Sequence, residues 1–335
     1  MYNSIITGTG YYVPENVVTN DDLSKLMDTS DAWIQERTGI QQRHFATRGK
    51  DTTTSMGVRA AQMAMEKAHI AKEDIDFLIF ATLSPDYYFP GCGVLAQREL
   101  GLNTVGALDI RNQCSGFIYA LSVADQFIKT GMYKNILVIA SEMQSPALDL
   151  TTRGRNMAVL FGDGAGAAVL SRSEKQGKGI LSSHLHSEGA HAEELAIITP
   201  GVGKKWVTDL LKENDPEDTS YFPYMNGQFV FKNAVVRFSE VIIEALKTNK
   251  LSESDIDLFI PHQANLRIAQ FIQQKFKLSD AQVFNNIQRY GNTTAASIAI
   301  ALAEAVEQGR IKEDDTVLLA AFGSGFTWGS VVIKW

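Results

Sequence analysis

This chain repeats its own pattern, and that repeat limits its folding choices more than any other feature. The segment Asp74-Ile75-Asp76-Phe77-Leu78-Ile79 returns as Asp255-Ile256-Asp257-Leu258-Phe259-Ile260, 181 residues later. At the same offset Asn135-Ile136-Leu137-Val138-Ile139-Ala140 falls on Thr316-Val317-Leu318-Leu319-Ala320-Ala321, and Tyr119-Ala120-Leu121 falls on Ile300-Ala301-Leu302. A shared offset across several segments points to two related halves. The repeated strand segments are short apolar runs of the kind that forms strands buried on both faces. Duplication of this sort places a site between the halves.

Similar runs occur at Ile5 to Gly8, Ile75 to Thr82, Ile136 to Ser141, Ala165 to Leu170, Ile256 to Ile260, Val317 to Phe322 and Gly329 to Ile333. Helical periods lie between them at Met56 to Ala68, Gly116 to Thr130, Phe229 to Lys247, Leu266 to Phe276 and Ala295 to Gln308. This alternation predicts an α/β fold with buried strands flanked by helices. The 335 residues, 45% of them apolar, supply ample core. The halves are expected at 1-172 and 173-335. The stretch from Ser187 to Tyr224 lacks periodicity and reads as a loop insertion near 190-224.

A net charge of −7 argues against wrapping a nucleic acid, and any acidic partner must meet a local basic patch. No basic leader opens the sequence and no apolar stretch is long enough to span a membrane, so a cytoplasmic location is expected. The two cysteines, Cys92 and Cys114, form neither a disulfide framework nor a zinc spacing, and no metal site is expected.

Three residues carry candidate chemistry. Cys114 stands between a strand pattern and a helical one, in Asn112-Gln113-Cys114-Ser115-Gly116. A thiol at a helix N-terminus is biased toward thiolate, and the unpaired amides there can hold an oxyanion. A small buried core residue is the alternative. His262 follows a strand, in Ile260-Pro261-His262-Gln263-Ala264-Asn265, where α/β sheets present reactive groups. It reads either as a proton donor or as a structural histidine. Asn292, between Tyr290-Gly291 and Thr293-Thr294, reads by itself as a helix cap. The glycine-rich Gly162-Asp163-Gly164-Ala165-Gly166 and Gly323-Ser324-Gly325-Phe326-Thr327-Trp328-Gly329 lack the Lys and Ser or Thr of a phosphate loop, and they indicate close backbone approach.

In order, these pieces resemble the β-ketoacyl-acyl carrier protein synthase III family over essentially the whole chain. The matching segments are Gly8-Thr9-Gly10-Tyr11-Tyr12-Val13-Pro14, Trp33-Ile34-Gln35-Glu36-Arg37-Thr38-Gly39-Ile40, Cys114-Ser115-Gly116-Phe117, Phe161-Gly162-Asp163-Gly164-Ala165-Gly166, Pro261-His262-Gln263-Ala264-Asn265, Tyr290-Gly291-Asn292-Thr293 and Phe326-Thr327-Trp328-Gly329-Ser330. The resemblance implies a five-layered αβαβα thiolase-like fold of two pseudo-symmetric halves. It implies an acyltransferase that initiates fatty-acid synthesis by decarboxylative condensation of an acyl-CoA with malonyl-acyl carrier protein, without a cofactor.

In that resemblance Cys114 is the nucleophile, His262 and Asn292 bind the thioester oxygen, and the backbone amides of Cys114 and Ser324 form the oxyanion hole. Trp33, Arg37, Arg153 and Asn265 match the CoA entrance. Phe89, Met225, Gln228 and Phe231 match the acyl pocket, with Phe89 reaching across a homodimer interface. Arg267, Lys232 and Lys275 match carrier-protein contacts, although the two lysines also read as ordinary solvated charges. Two departures stand out: Asn112-Gln113 replaces small residues before the nucleophile, and Ser324 stands where glycine is frequent. The insertion motivates the expectation of a longer or branched primer. The alternatives are a secondary-metabolism condensing or acyl-transfer enzyme and a non-catalytic partner subunit.

Overall fold

The computed structural model describes residues 2–199, 201, 203 and 218–335, so much of the expected insertion lies outside the described residues. In the strand Asn135–Glu142, Ile136, Val138 and Ala140 enter one apolar cluster, while Leu137 and Ile139 enter another on the opposite face. Side chains alternate along a strand, so an uninterrupted apolar run needs a packed layer on each side. The strand Thr316–Gly323 repeats this split. Its Val317, Leu319 and Ala321 join the same first cluster, and Leu318, Ala320 and Phe322 face a third. The two strands therefore back onto one shared core.

The first sheet runs Asn3–Tyr12, Gly164–Ser173, Asn135–Glu142, Phe77–Ala81, Gly106–Ile110, with its last three strands parallel and the others antiparallel to their neighbours. The second sheet runs Gly179–Ser187, Thr327–Lys334, Thr316–Gly323, Leu258–Pro261 in the same order and directions. A parallel bridge from Phe259 to Val283 marks the place of a fifth strand.

Between the sheets lie the helices Gly116–Lys129 and Ala296–Glu307. Thr53–Ala68 and Cys92–Leu100 cover the outside of the first sheet, and Gly227–Asn249 and Leu266–Lys275 cover the second. The order is helix, sheet, helix, sheet, helix. Ala296–Glu307 is buried at every position through Ala305, which is why its sequence has no polar stripe. It sits tight on the first sheet because Gly166 has no side chain; a Cβ there would lie 2.5 Å from that of Ala299.

Candidate active site

The strand Gly106–Ile110 leads into a tight turn, Gln113–Ser115, and then into the helix from Gly116. Gln113 adopts φ 43°, a left-handed conformation that is strained for a residue with a side chain, directly before Cys114. Cys114 is 7% exposed. Burial pushes its thiol up to about 12, and the charge of Glu142 acts in the same sense. The backbone N–H groups of Cys114 and Ser324 oppose both. Desolvation thus outweighs the helix terminus, and the resting group is a thiol rather than the thiolate that position alone favoured.

Residues of the second half close on this turn. A Cβ on Gly323 would lie 2.6 Å from that of Cys114, so only glycine lets the strand end approach and present the Ser324 amide to the sulfur. The hydroxyls of Ser115 and Thr327 meet at 2.7 Å. Ser324, the departure from glycine, donates its hydroxyl to the Leu195 carbonyl. It thereby ties the amide-bearing loop to the short strand Leu195–Ala196, which pairs with Tyr224–Met225.

His262 follows the strand Leu258–Pro261 and is tied to the neighbouring strand Thr316–Gly323 through its backbone N–H to the Ala320 carbonyl, 2.8 Å. Its Nδ1 lies 2.6 Å from Ser297 Oγ, while Nε2 is buried without a partner among the described residues. Burial holds the imidazole down to about 3, so it is neutral at physiological pH. Asn292 is bound to the first half by its own N–H to Leu160 O, 2.8 Å, and by Gly162 N–H to its carbonyl, 3.1 Å. Its Oδ1 accepts the Thr294 N–H at 2.9 Å. That bond leaves Nδ2 as the amide's donor, and Thr294 adopts φ 52°, costly for a β-branched residue, to make it. The helix that follows has Ala295, not Asn292, at its cap position.

The two central helices meet N-terminus to N-terminus: a Cβ on Gly116 would lie 3.2 Å from that of Ala295. Both positive dipole ends point to this seam, which favours negative charge there. Beneath it Glu142 is fully buried and accepts from Ser84 Oγ at 2.7 Å, Thr82 Oγ1 at 3.2 Å and Gln144 Nε2 at 3.3 Å. Desolvation pushes its carboxyl up to about 7. Nothing in the local sequence marks Glu142, Ser297 or Thr294 for these places.

Of the predicted entrance residues, Arg37 packs on Trp33 and Asn265 bonds to Arg37. The Arg37 guanidinium lies 4.3 Å above the Trp33 ring and that of Arg155, which sequence reasoning did not select, 5.2 Å. Arg153 binds Asp149 through Nε at 2.6 Å and lies over Phe222. Asn265 caps the helix Leu266–Lys275 through the Arg267 N–H and donates to the Arg37 carbonyl at 3.0 Å, so its side chain holds the entrance together. Met225 and Phe231 are partly buried, whereas Gln228 is exposed in the first turn of Gly227–Asn249. Arg267 is exposed above Phe231, and Lys232 and Lys275 are also exposed. Phe89 is 81% exposed and stands beside the exposed Tyr87 and Tyr88. Among the described residues no helix is long and apolar enough to cross a membrane.

Mirrored sheets, a buried cysteine at a helix start, and histidine and asparagine donors from the opposite half together define a thiolase-fold condensing enzyme. Residues 108–189 match the profile of 3-oxoacyl-(acyl-carrier-protein) synthase III, and residues 246–335 match that of its C-terminal part. The beta-ketoacyl-acyl-carrier-protein synthase III of Aliivibrio fischeri is 45% identical over 100% of both chains, and that of Rhodospirillum centenum is 44% identical over 99% of both. The crystal structure of 3-oxoacyl-acyl-carrier-protein synthase III from Aquifex aeolicus VF5 superposes with a TM-score of 0.90 at 42% identity, covering 99% of this chain and 100% of that one. The chain belongs to the β-ketoacyl-acyl carrier protein synthase III family. These likenesses do not favour the secondary-metabolism alternative.

Proposed function

We propose that the protein initiates fatty-acid synthesis by condensing an acyl-CoA with malonyl-acyl carrier protein, with Cys114 as its nucleophile. The observation that carries the residue assignment is the seam itself, where the amides of Cys114 and Ser324 meet at one sulfur and His262 and Asn292 offer donors from the other half. Cys114 sulfur attacks the acyl thioester, CoA leaves as its thiol with the proton from Cys114, and an acyl-cysteine remains. Malonyl-acyl carrier protein then loses CO₂. The enolate oxygen receives hydrogen bonds from His262 Nε2 and Asn292 Nδ2 at the two helix N-termini. The carbanion attacks the acyl carbonyl, whose oxyanion sits on the amides of Cys114 and Ser324. Collapse releases the β-ketoacyl product and the cysteine sulfur, which takes up one proton. The electron pair comes from decarboxylation, so the cycle balances with thioester substrates alone and no cofactor.

Trp33, Arg37, Arg153 and Asn265 frame the CoA entrance in this reading. Aromatic and guanidinium faces suit its adenine and phosphates. Met225, Gln228 and Phe231 border the acyl channel. Arg267, Lys232 and Lys275 give an otherwise acidic molecule a patch for an acidic carrier protein in the cytoplasm. The exposed Phe89 fits a homodimer in which it closes the partner's acyl pocket. Condensation assays with Asn292→Ala and His262→Ala test the assignment. Decarboxylation and product formation are expected to fall by about 10²–10⁴-fold, while acylation of the enzyme persists. Full condensation by either variant refutes it. Acetyl-CoA compared with C4 to C10 and branched acyl-CoAs in the same assay reports the primer, and equal or better use of acetyl-CoA rejects the longer or branched primer.

A further inference from the structure

We propose that Ser297 is a positioning residue that fixes His262 in the tautomer carrying its proton on Nε2. This rests on the reading of His262 as the donor to the thioester oxygen.

A neutral imidazole has one N–H and one bare nitrogen, and the group bonded to one nitrogen decides which is which. At His262 the only bonded nitrogen among the described residues is Nδ1, 2.6 Å from Ser297 Oγ. A serine hydroxyl has a single proton and can accept from others. Ser297 Oγ already accepts the Gln263 backbone N–H at 3.3 Å. Its own proton therefore needs an acceptor, and among the described residues the sole one in hydrogen-bond contact is Nδ1. With Ser297 donating, Nδ1 is bare and Nε2 holds the proton.

The donors are ordered in a line from Gln263 N–H to Ser297 Oγ–H to His262 Nε2–H, ending at a buried nitrogen that no group among the described residues satisfies. Ser297 is itself buried in the first turn of the central helix Ala296–Glu307, and Gln263 is anchored through its side chain to Pro261 O and to the N–H of Asn286. Gln263 and Ser297 are thus both held in place. An imidazolium would need a proton on Nδ1, facing the hydroxyl proton, and burial also disfavours its charge. The same hydroxyl thus keeps the imidazole neutral and aims its one proton at the developing enolate. Reversed, the lone pair of Nε2 would face that negative charge and repel it.

The test is nitrogen-15 NMR of the full-length protein with labelled histidine, the His262 signals being assigned as those absent from His262→Asn. The wild type is expected to show a protonated Nε2 and a bare Nδ1. Ser297→Ala should give a mixture of tautomers and lose decarboxylation of malonyl-acyl carrier protein by about 10-fold or more, with acyl-enzyme formation unchanged. Ser297→Thr should restore both. A protonated Nδ1 in the wild type overturns the proposal, even if Ser297→Ala fails to fold. An unaltered tautomer and rate in Ser297→Ala overturn it as well. If the tautomer is as stated but His262→Ala condenses normally, the catalytic reading fails instead.

Discussion

Glu142 and His262 are buried close to the seam, and their ionisation biases stability in opposite directions. Desolvation raises the Glu142 carboxyl to about 7 from 4.5. Between those values the folded state binds more protons than the unfolded one, so this group lowers stability as pH rises. His262 is depressed to about 3 from 6.5. There the unfolded state binds more protons, and stability rises with pH across that interval. Where the windows overlap, the two slopes offset one another. Glu142→Gln removes one of them. Its thermal midpoint relative to wild type should therefore climb from pH 5 to about pH 7 and level off above that, and a difference that does not change with pH contradicts the assignment. The neutral Cys114 thiol gives a second expectation. Alkylation of Cys114 should keep accelerating with pH beyond 9 and should be faster in Glu142→Gln, which lacks the opposing charge; a plateau below pH 8 contradicts it. Cys114 and His262 stood out as candidates because each follows a strand pattern in the local sequence, whereas Asn292, which by itself reads as a helix cap, stood out only through the family resemblance. Glu142 and Ser297 stood out in neither way. A glutamate at a strand end and a serine in a helix's first turn have ordinary solvent-facing roles, and only long-range packing buries these two.

At the scale of elements, the seam depends on how closely the strand Thr316–Gly323 approaches the cysteine turn. Gly323→Ala inserts a methyl group 2.6 Å from the Cys114 Cβ. It should cost about 1–3 kcal/mol of stability and suppress acylation by moving the sulfur away from the Ser324 amide. Calorimetry with intact-mass analysis checks both, and normal acylation contradicts the close-approach account. The glycine-rich pattern before Trp328 announced this contact without identifying its partner. The long strands and longer helices were legible to within a few residues: Met56 to Ala68 became Thr53–Ala68, and Ala295 to Gln308 became Ala296–Glu307. The edge strand Gly179–Ser187 was not, since its Ser and His run stays partly exposed and it lacks the apolar signature of its counterparts.

For the molecule as a whole, the central cluster takes Phe117, Ile136 and Val138 from one half and Ile298, Leu302 and Val317 from the other. Neither half can bury those surfaces alone, so unfolding should be a single transition, coincident by far-UV circular dichroism and tryptophan fluorescence. Two separated transitions contradict the shared core. The offset of 181 residues in the sequence matches strand runs that take corresponding places in the two sheets. Asn292 bonds to Leu160 and Gly162 of the first half, an exchange across the seam that no offset displays.

The most direct measurement is intact-mass spectrometry after incubation with acetyl-, butyryl-, isobutyryl- or octanoyl-CoA, followed by peptide mapping. The account predicts one acyl group per chain, located on Cys114, absent from Cys114→Ala and discharged by malonyl-acyl carrier protein as a β-ketoacyl product. An adduct on another residue, or condensation by Cys114→Ala at the wild-type rate, contradicts it.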